Sequence, residues 1–190
     1  DVLTGTWRNA SIESKLLYLN QVDVSATLML SRAVGARMKE MQQSPDAKPW
    51  LPAIINVGWD QAWQGMAGES GELFATTKGA VMAMTKSLAQ SLAPLIRVNC
   101  VAPGTIDTGM NPIYHASDPI GVRRRERLLD RVPLRQLGDP AALAHTAAFI
   151  VSPLSSYTTG TTVVVDGGYT ADGTPRSDSF DSMERGPWPW

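Results

Sequence analysis

The hydrophobic positions in the first part of the chain recur at spacings of three and four. This period is that of an amphipathic α-helix, and it predicts one long helix over residues 11–41. The apolar positions that define it are Leu16, Leu17, Leu19, Val22, Val24, Leu28, Leu30, Val34 and Met38. Proline cannot continue a helix, so the pattern ends before Pro45, Pro49 and Pro52.

Three short apolar runs that contain β-branched residues follow along the chain. The first, Ala53–Val57, lies between a proline and a glycine, and the others occupy residues 96–101 and 161–165. Their length and composition predict buried β-strands.

Helical patterns alternate with these strands. A second long helix is predicted over residues 72–93, and a charged helix over residues 122–131. Asp139 followed by Pro140 is typical of a helix start, and that helix is expected to run to about residue 151. Because strands that alternate with long helices are usually parallel, the sequence predicts an α/β architecture.

The last twenty residues differ in composition from the rest. Residues 171–190 are rich in Gly, Pro, Ser and Asp and include two tryptophans at the end. This composition predicts either a flexible tail or an arm that docks on a neighbouring subunit. The folded domain is therefore expected within residues 1–170.

Composition and charge exclude several classes of function. The 190 residues are 43% hydrophobic and 18% charged, with a formal net charge of -1. Such a chain can bury a core, but it lacks the positive field that attracts nucleic acid or an anionic membrane. No apolar run approaches the roughly 18 residues that span a bilayer. We therefore expect a cytoplasmic protein with a small ligand or a protein partner.

Few residue types suggest metal, redox or phosphate chemistry. The single cysteine, Cys100, permits no internal disulfide and is expected to pack as a small apolar residue. His115 and His145 lack neighbours at metal-ligand spacing, so no metal site is expected. The one basic cluster is predicted to be a solvated helix face, and its members are Arg123, Arg124, Arg125 and Arg127.

Four landmarks carry the strongest functional signal. In chain order they are the run IINV at 54–57, Lys78 in the second predicted helix, the run RVNCVAPG at 97–104, and Thr159-Gly160 followed by VDGG at 165–168. Together, in this order and spacing, they resemble the short-chain dehydrogenase/reductase family over nearly the whole chain up to about residue 170. The resemblance implies a Rossmann-like doubly wound parallel sheet.

The same resemblance implies an NAD(P)-dependent oxidoreductase that acts on a carbonyl or alcohol. In the family, a tyrosine transfers the proton, a serine holds the substrate oxygen, and an asparagine and a lysine support them. Aligned outward from Lys78, this chain has Phe74 at the tyrosine position, Trp59 (or Gly58, with a slip of one residue) at the serine position, and Asp23 at the asparagine position. Of the four groups, Lys78 alone is retained.

Positions around the nicotinamide side of the family's cofactor site are present. The resemblance implies that Lys78 contacts the ribose and that the loop with Pro103, Gly104 and Thr108 holds the carboxamide. From the residues alone, a solvated helix lysine is the favoured interpretation of Lys78, and the landmarks of the family resemblance reverse this preference. Thr108 fits a cap of the next turn equally well. Asp166-Gly167-Gly168 is predicted to be a structural turn.

The family opens with a strand, a glycine-rich turn and a helix that hold the cofactor's pyrophosphate, and this chain has no matching segment. Asp1 aligns just after the family's fourth strand. We therefore expect the C-terminal half of such a domain, with NAD or NADP binding dependent on a preceding segment or a partner.

Three interpretations of function stay open from the sequence. The first is an enzyme with little turnover, unless a substitute acid is supplied by Asp60, Glu69, Ser70, Tyr114 or His115. The second is a pseudoenzyme that serves as a binding or assembly subunit. The family's long helices, here 11–41 and 72–93, commonly pack against another subunit, so a homo-oligomer or a pairing with a related subunit is expected. The third is an incomplete domain that cannot fold alone.

Overall fold

A computed structural model of the protein describes residues 7, 9–45, 51–109 and 118–171. In this part of the chain, three strands form one parallel sheet in the order β1-β2-β3. The strands are β1 (Ala53–Val57), β2 (Arg97–Pro103) and β3 (Thr162–Val165). Ala53 pairs with Arg97 at one end of the sheet, and Pro103 pairs with Val165 at the other. The predicted parallel α/β fold is confirmed.

Five α-helices accompany the sheet in the described part. They are α1 (Ile12–Leu19), α2 (Ala26–Gln43), α3 (Glu69–Leu92), α4 (Pro119–Arg131) and α5 (Pro140–Val151). A π-helical turn, Asn20–Ser25, joins α1 to α2 without a break, so the predicted helix over 11–41 exists but is not regular. Asp139 caps α5 as predicted, since its side chain accepts a hydrogen bond from the Ala141 N–H.

The central strand β2 separates two helical layers. Side chains alternate between the two faces of a strand. Val98 packs in the cluster formed by Leu88 and Leu92 of α3. The preceding residue, Arg97, faces the opposite layer, where its guanidinium donates to the Ile150 carbonyl of α5 at 2.8 Å. The sheet is therefore covered by α3 on one face and α5 on the other.

Arg97 binds the end of α5 to the sheet. It is only 4% exposed, yet it reaches a cluster of oxygen acceptors, some at the end of α5, where carbonyls lack intrahelical partners, and some in the segment that follows. These acceptors are the carbonyls of Ile150, Val151, Ser152 and Thr158 and the Ser155 hydroxyl, at 2.8 to 3.3 Å. A buried charge is tolerated here because many donors and acceptors are satisfied together.

A series of buried side-chain hydrogen bonds links β1 to the helices α2 and α3. The Ser31 hydroxyl of α2 donates to Asn56 Oδ1 at 3.2 Å, and Asn56 Nδ2 donates to the Thr85 hydroxyl of α3 at 3.0 Å. Because buried polar groups are costly unless paired, this series specifies how α2, β1 and α3 fit together. These hydrogen bonds hold the carboxyl end of β1, beside which the candidate site lies.

Most predicted boundaries agree with the structure. The strand at Ala53–Val57 is found with the predicted limits. The second long helix begins three residues earlier than predicted, at Glu69, and α4 begins at Pro119 with Asp118 as its cap. Cys100 is buried beside Met82 and Ala102, as expected for a small apolar residue. Of the predicted tail, residues 172–190 lie outside the described part.

Candidate active site

Lys78 and Asp23 form an ion pair beside the end of β1. Lys78 lies on α3 and Asp23 on the π-helical turn, with Lys78 Nζ 2.9 Å from Asp23 Oδ1. Both side chains are largely removed from solvent, at 21% and 15% exposure. Lys78 Nζ also donates to the Val57 carbonyl at 3.3 Å. The helix, the turn and the strand therefore meet at one ammonium group.

The π-helical turn places Asp23 in this contact. A π turn inserts an extra residue into a helix and often occurs at functional sites. Residues 20–25 form this turn and pack against α3, whereas α1 and α2 continue on either side. The predicted helical periodicity passes through the segment without revealing it, because one inserted residue shifts the pattern only slightly.

An aromatic pair lies next to the ion pair in sequence and in space. Phe74 precedes Lys78 by four residues on α3, so both lie on one face of that helix. The Trp59 ring, from the segment after β1, lies 6.1 Å from the Phe74 ring between centroids, with an interplanar angle of 59°. This tilted arrangement is a favourable aromatic contact. Neither side chain carries a hydroxyl.

Gly58 faces the core rather than this pair. A Cβ on Gly58 would come within 2.7 Å of Met82 Cγ and 3.0 Å of Cys100 Sγ. Such distances leave no room for a side chain. Of the two positions predicted to replace the serine, Trp59 is therefore the one that contacts Phe74.

The loop after β2 passes close to two aspartates. The Gly104 N–H donates to the Val165 carbonyl at 2.9 Å. A Cβ on Gly104 would approach Asp166 Cβ to 2.6 Å and Asp60 Oδ2 to 3.0 Å. Glycine is thus required by this close packing. Further along the loop, Thr108 is exposed, and the Gly109 N–H donates to Asp107 Oδ1 at 3.0 Å.

Asp60 is the unusual acid of the region. It directly follows Trp59, starts a short 3-10 turn, and is only 2% exposed. Burial raises the pKa of Asp60 to about 6, and the nearby charge of Asp166 adds to this rise, whereas the hydrogen bond from the Gln61 N–H opposes it. Asp60 therefore gains or loses its proton nearer to neutral pH than an ordinary aspartate does.

Asp166 is held as a turn residue. Its Oδ1 accepts from the Gly168 N–H at 2.8 Å, and its Oδ2 accepts from the Thr170 N–H at 2.8 Å and from the Thr170 hydroxyl at 2.6 Å. These bonds confirm the predicted structural turn after β3. They also keep a carboxylate beside Gly104.

Known proteins resemble this chain over most of its length. A family model described as enoyl-(acyl carrier protein) reductase matches residues 12–170. A short chain dehydrogenase from Bacillus anthracis superposes with a TM-score of 0.64 at 29% identity, covering 85% of this chain and 57% of that one.

The chain belongs to the short-chain dehydrogenase/reductase family.

Two other members of the short-chain dehydrogenase/reductase family indicate the range of relatives. The 3-oxoacyl-[acyl-carrier-protein] reductase of Vibrio cholerae is 34% identical over 149 residues, which are 78% of this chain and 54% of that protein. A gluconate 5-dehydrogenase from Burkholderia cenocepacia, solved in complex with NADP and tartrate, has a TM-score of 0.70 at 27% identity and covers 86% of this chain and 59% of that one. The chain spans about half the length of the curated relatives it matches.

Not all residues predicted for the short-chain dehydrogenase/reductase site are brought together. Lys78 contacts Asp23, Trp59 contacts Phe74, and Phe74 and Lys78 share one face of α3. The assignment of these residues to the family's catalytic positions stays a prediction. Glu69 forms an ion pair with Lys15 of α1 instead. Tyr114 and His115 lie outside the described residues, so their part as substitute acids stays a prediction.

Sequence reasoning names Asp60 but cannot place it. The sequence shows only that Asp60 is an acidic residue shortly after a predicted strand, in a segment that contains two tryptophans. Neither spacing nor periodicity indicates that Gly104 and Asp166, distant in sequence, surround it. In the described ranges, no group of three His, Cys, Asp or Glu side chains could hold a metal ion.

No helix within residues 7, 9–45, 51–109 and 118–171 combines the length and apolar character needed to cross a membrane.

Proposed function

We propose that this chain is part of an NAD(P)-dependent oxidoreductase domain in which the carbonyl or alcohol site has lost its proton-transfer hydroxyls. The observation that carries the proposal is the Trp59–Phe74 pair next to Lys78. Positions where the family resemblance implies a serine and a tyrosine hold two aromatic side chains in contact. Turnover is therefore expected to be feeble while the nicotinamide side of the site persists.

The residues at this side fit a nicotinamide ribose. An ammonium group has three N–H donors, and in the described residues Lys78 uses two of them, on Asp23 Oδ1 and the Val57 carbonyl. The third stays available for a ribose hydroxyl. The loop with Pro103, Gly104 and Thr108 would hold the carboxamide, and the nicotinamide, when bound, would supply or accept the hydride.

The loss of the proton donor and of the second hydroxyl determines how far the catalytic rate is expected to fall. A positioned acid or base typically contributes about 100- to 10,000-fold to rate, and a positioned hydrogen-bond donor about another 100- to 1,000-fold. Phe74 cannot supply the first of these, and the Trp59 indole is larger than a serine hydroxymethyl group. Asp23 further binds the one cation that the family resemblance assigns to catalysis.

Restoring the hydroxyls tests this proposal. Phe74→Tyr, Trp59→Ser and the double variant are compared with the unchanged chain for NADH and NADPH binding, by nicotinamide fluorescence, and for turnover of a carbonyl and alcohol panel. Matched controls are Phe149→Tyr and Trp63→Ser, which alter exposed residues of the same types. The measurements are made with the pyrophosphate-binding part supplied, by a preceding segment or a partner. We then expect binding throughout and about a 100-fold or greater gain in turnover in the double variant alone.

Two results would contradict the proposal. One is efficient turnover by the unchanged chain that Phe74→Tyr does not increase. The other is a folded double variant that binds NADH or NADPH and stays inert, which would show that the site differs in more than these two groups.

A second candidate function is a non-catalytic assembly subunit, and an exposed apolar stripe on α2 supports it. Leu30, Val34 and Met41 lie at i, i+4 and i+11 of the helix and are 65%, 43% and 45% exposed. A surface stripe of this kind is typical of a contact with another subunit. We propose a second copy of this chain, or a related subunit, as the partner.

Sedimentation of the unchanged chain and of a Leu30→Gln/Val34→Thr double variant tests the assembly function. We expect the unchanged chain to be a dimer or larger and the variant to shift towards the monomer with an unaltered circular dichroism spectrum. Glu40→Gln, on the same helix, is the control. A monomeric unchanged chain at high concentration, alone and mixed with a related active subunit, would contradict this function.

A further inference from the structure

Gly104 lies between two carboxyl groups that come from different strands. Asp60 follows β1 and Asp166 follows β3, whereas Gly104 follows the strand between them. A Cβ on Gly104 would meet Asp166 Cβ at 2.6 Å and Asp60 Oδ2 at 3.0 Å. The loop backbone therefore packs against both acids, with no side chain between them.

The two acids differ in how their oxygens are satisfied. Three donors bind the Asp166 carboxylate oxygens at 2.6 to 2.8 Å. Asp60 accepts the Gln61 N–H on Oδ1 at 2.9 Å, and its own N–H and the Gln61 side chain also donate to this carboxyl group. Oδ2 is the oxygen that faces Gly104. Asp60 is only 2% exposed, and this burial favours its protonated form.

Other charged groups around Asp60 are few. Beyond Asp166, the turn after β3 contributes Tyr169, whose pKa is raised by burial and by the Asp60 charge. Arg131, at the end of α4, lies 4.8 Å from the centre of the Tyr169 ring and lowers that pKa. From α3, Lys86 lies over Trp63, in the segment next to Asp60, at 5.8 Å.

We propose that Asp60 is a positioning residue for the loop from Pro103 to Thr108, and that this loop is held when Asp60 is protonated and loosened when Asp60 is ionised. The inference rests on the proposed function, in which this loop holds the nicotinamide carboxamide. Asp60 itself is buried and acts through Gly104 rather than by touching the ligand.

The physical reason is the charge around Gly104. When Asp60 is neutral, the loop packs against one carboxylate whose oxygens are satisfied. When Asp60 is ionised, a buried carboxylate and the half-buried carboxylate of Asp166 flank the same backbone, and like charges in a poorly solvated site repel. Opening the loop admits water to Asp60 and relieves both burial and repulsion. The raised pKa of Asp60, about 6, places this change near neutral pH.

The loop offers backbone amides that report its state. The Gly104 N–H donates to the Val165 carbonyl at 2.9 Å, and the Asp107 N–H donates to the Gly138 carbonyl at 2.8 Å. Both bonds join the loop to neighbouring elements. Protection of these amides from hydrogen exchange therefore measures how often the loop leaves its place.

The experiment follows exchange of these two amides and the carboxyl ¹³C signal of Asp60 from pH 4.5 to pH 8 in the full chain without nucleotide. Exchange rates are divided by those of an unstructured peptide at each pH. We expect protection to fall by about 10- to 100-fold as pH rises, since one unit of pKa shift corresponds to a tenfold change in equilibrium. The midpoint of the fall should coincide with the Asp60 titration.

Asp60→Asn should abolish the pH dependence and keep protection high, because the amide stays neutral. Asp118→Asn, which alters the exposed cap of α4, should leave the dependence unchanged. The inference is overturned if Asp60→Asn shows the same fall, or if the Asp60 signal and the amide protection titrate at different pH. The comparison of two signals within the unchanged chain remains decisive should Asp60→Asn not fold.

A nucleotide titration separates this inference from the proposed function. NADH and NADPH are added at pH 5.5 and pH 7.5. Tighter binding at the lower pH in the unchanged chain, and equal binding at both in Asp60→Asn, supports the positioning role. With the pyrophosphate-binding part supplied by a preceding segment or a partner, absence of binding to every variant would overturn the proposed function, whereas a loop that still follows Asp60 would support the loop coupling.

Discussion

Lys78 on α3 and Asp23 on the π-helical turn are joined by an ion pair with Nζ 2.9 Å from Oδ1. The family resemblance implies an asparagine at position 23, which would leave the lysine with its full charge. Here a carboxylate neutralises the cation in a setting with little solvent. The ion pair therefore links the helical layer to the site and reduces the positive charge available to a ligand.

A double-mutant cycle with Asp23→Asn and Lys78→Met measures this pair. Because the bond is charge-assisted and mostly shielded from solvent, we expect a coupling free energy of about 1 to 3 kcal/mol by urea unfolding. The matched control is the exposed pair Arg37–Glu40, where the coupling should stay below about 0.5 kcal/mol. Equal coupling in the two cycles would show that burial adds nothing to the Lys78–Asp23 pair.

Asp60→Asn is expected to stabilise the protein above pH 6. The folded pKa of Asp60, about 6, lies above its ordinary value of 3.8, so the folded state binds the proton more tightly than the unfolded state. Stability therefore falls as pH rises from about 4 to 6, by at most roughly 3 kcal/mol. The asparagine removes this loss at pH 7.5 and makes little difference below pH 4.

Asp118 provides a control because its contribution to stability should depend on pH in the direction opposite to that of Asp60. Hydrogen bonds from the Gly121 and Ile120 N–H groups hold the pKa of this exposed cap below its usual value. Its contribution is thus present at neutral pH and is lost as pH falls through the lowered value. Urea unfolding of Asp60→Asn and Asp118→Asn at pH 7.5, pH 4 and pH 2.5 checks the two directions, because Asp118 loses its contribution only below its lowered pKa. A stabilisation by Asp60→Asn that is equal at pH 4 and pH 7.5 would contradict the burial argument.

Gly104→Ala and Gly79→Ala should change stability in opposite directions. A methyl group at Gly104 would overlap Asp166, and such overpacking typically costs about 1 to 3 kcal/mol. Gly79 lies inside α3, where an added methyl group would have no neighbouring atom within 4 Å, so alanine there should stabilise by about 0.5 to 1 kcal/mol. Thermal unfolding midpoints measure both, and a neutral Gly104→Ala would show that the loop yields easily.

Arg97→Lys should destabilise strongly although the charge is kept. The guanidinium reaches five oxygen acceptors at the end of α5 and in the segment that follows, and a lysine ammonium has only three donors on a differently shaped head group. We expect a loss of about 2 to 4 kcal/mol in urea unfolding. Arg37→Lys, an exposed arginine, should change stability by less than about 0.5 kcal/mol. A similar small change at Arg97 would show that the buried network contributes little.

The local pattern of the sequence is enough to predict the elements. Four apolar residues and one asparagine between a proline and a glycine predict the strand Ala53–Val57, and Asp139-Pro140 indicates where α5 begins. These signals are local, because propensity, capping and periodicity act over one or two turns. For the same reason the pattern does not predict the π turn at residues 20–25, since this turn interrupts one regular helix without ending it.

What the sequence by itself determined is chemical identity: Phe74 and Trp59 carry no hydroxyl, Lys78 is a cation, and the order of strands and helices requires a parallel α/β sheet. The tertiary structure alone decided which of these groups meet. Asp23 reaches Lys78 across 55 positions, and Asp60, Gly104 and Asp166 converge from three strands. Parallel strands bring their carboxyl ends to one edge, so residues far apart in the chain share one environment, and burial there, not sequence neighbourhood, sets the charge of Asp60.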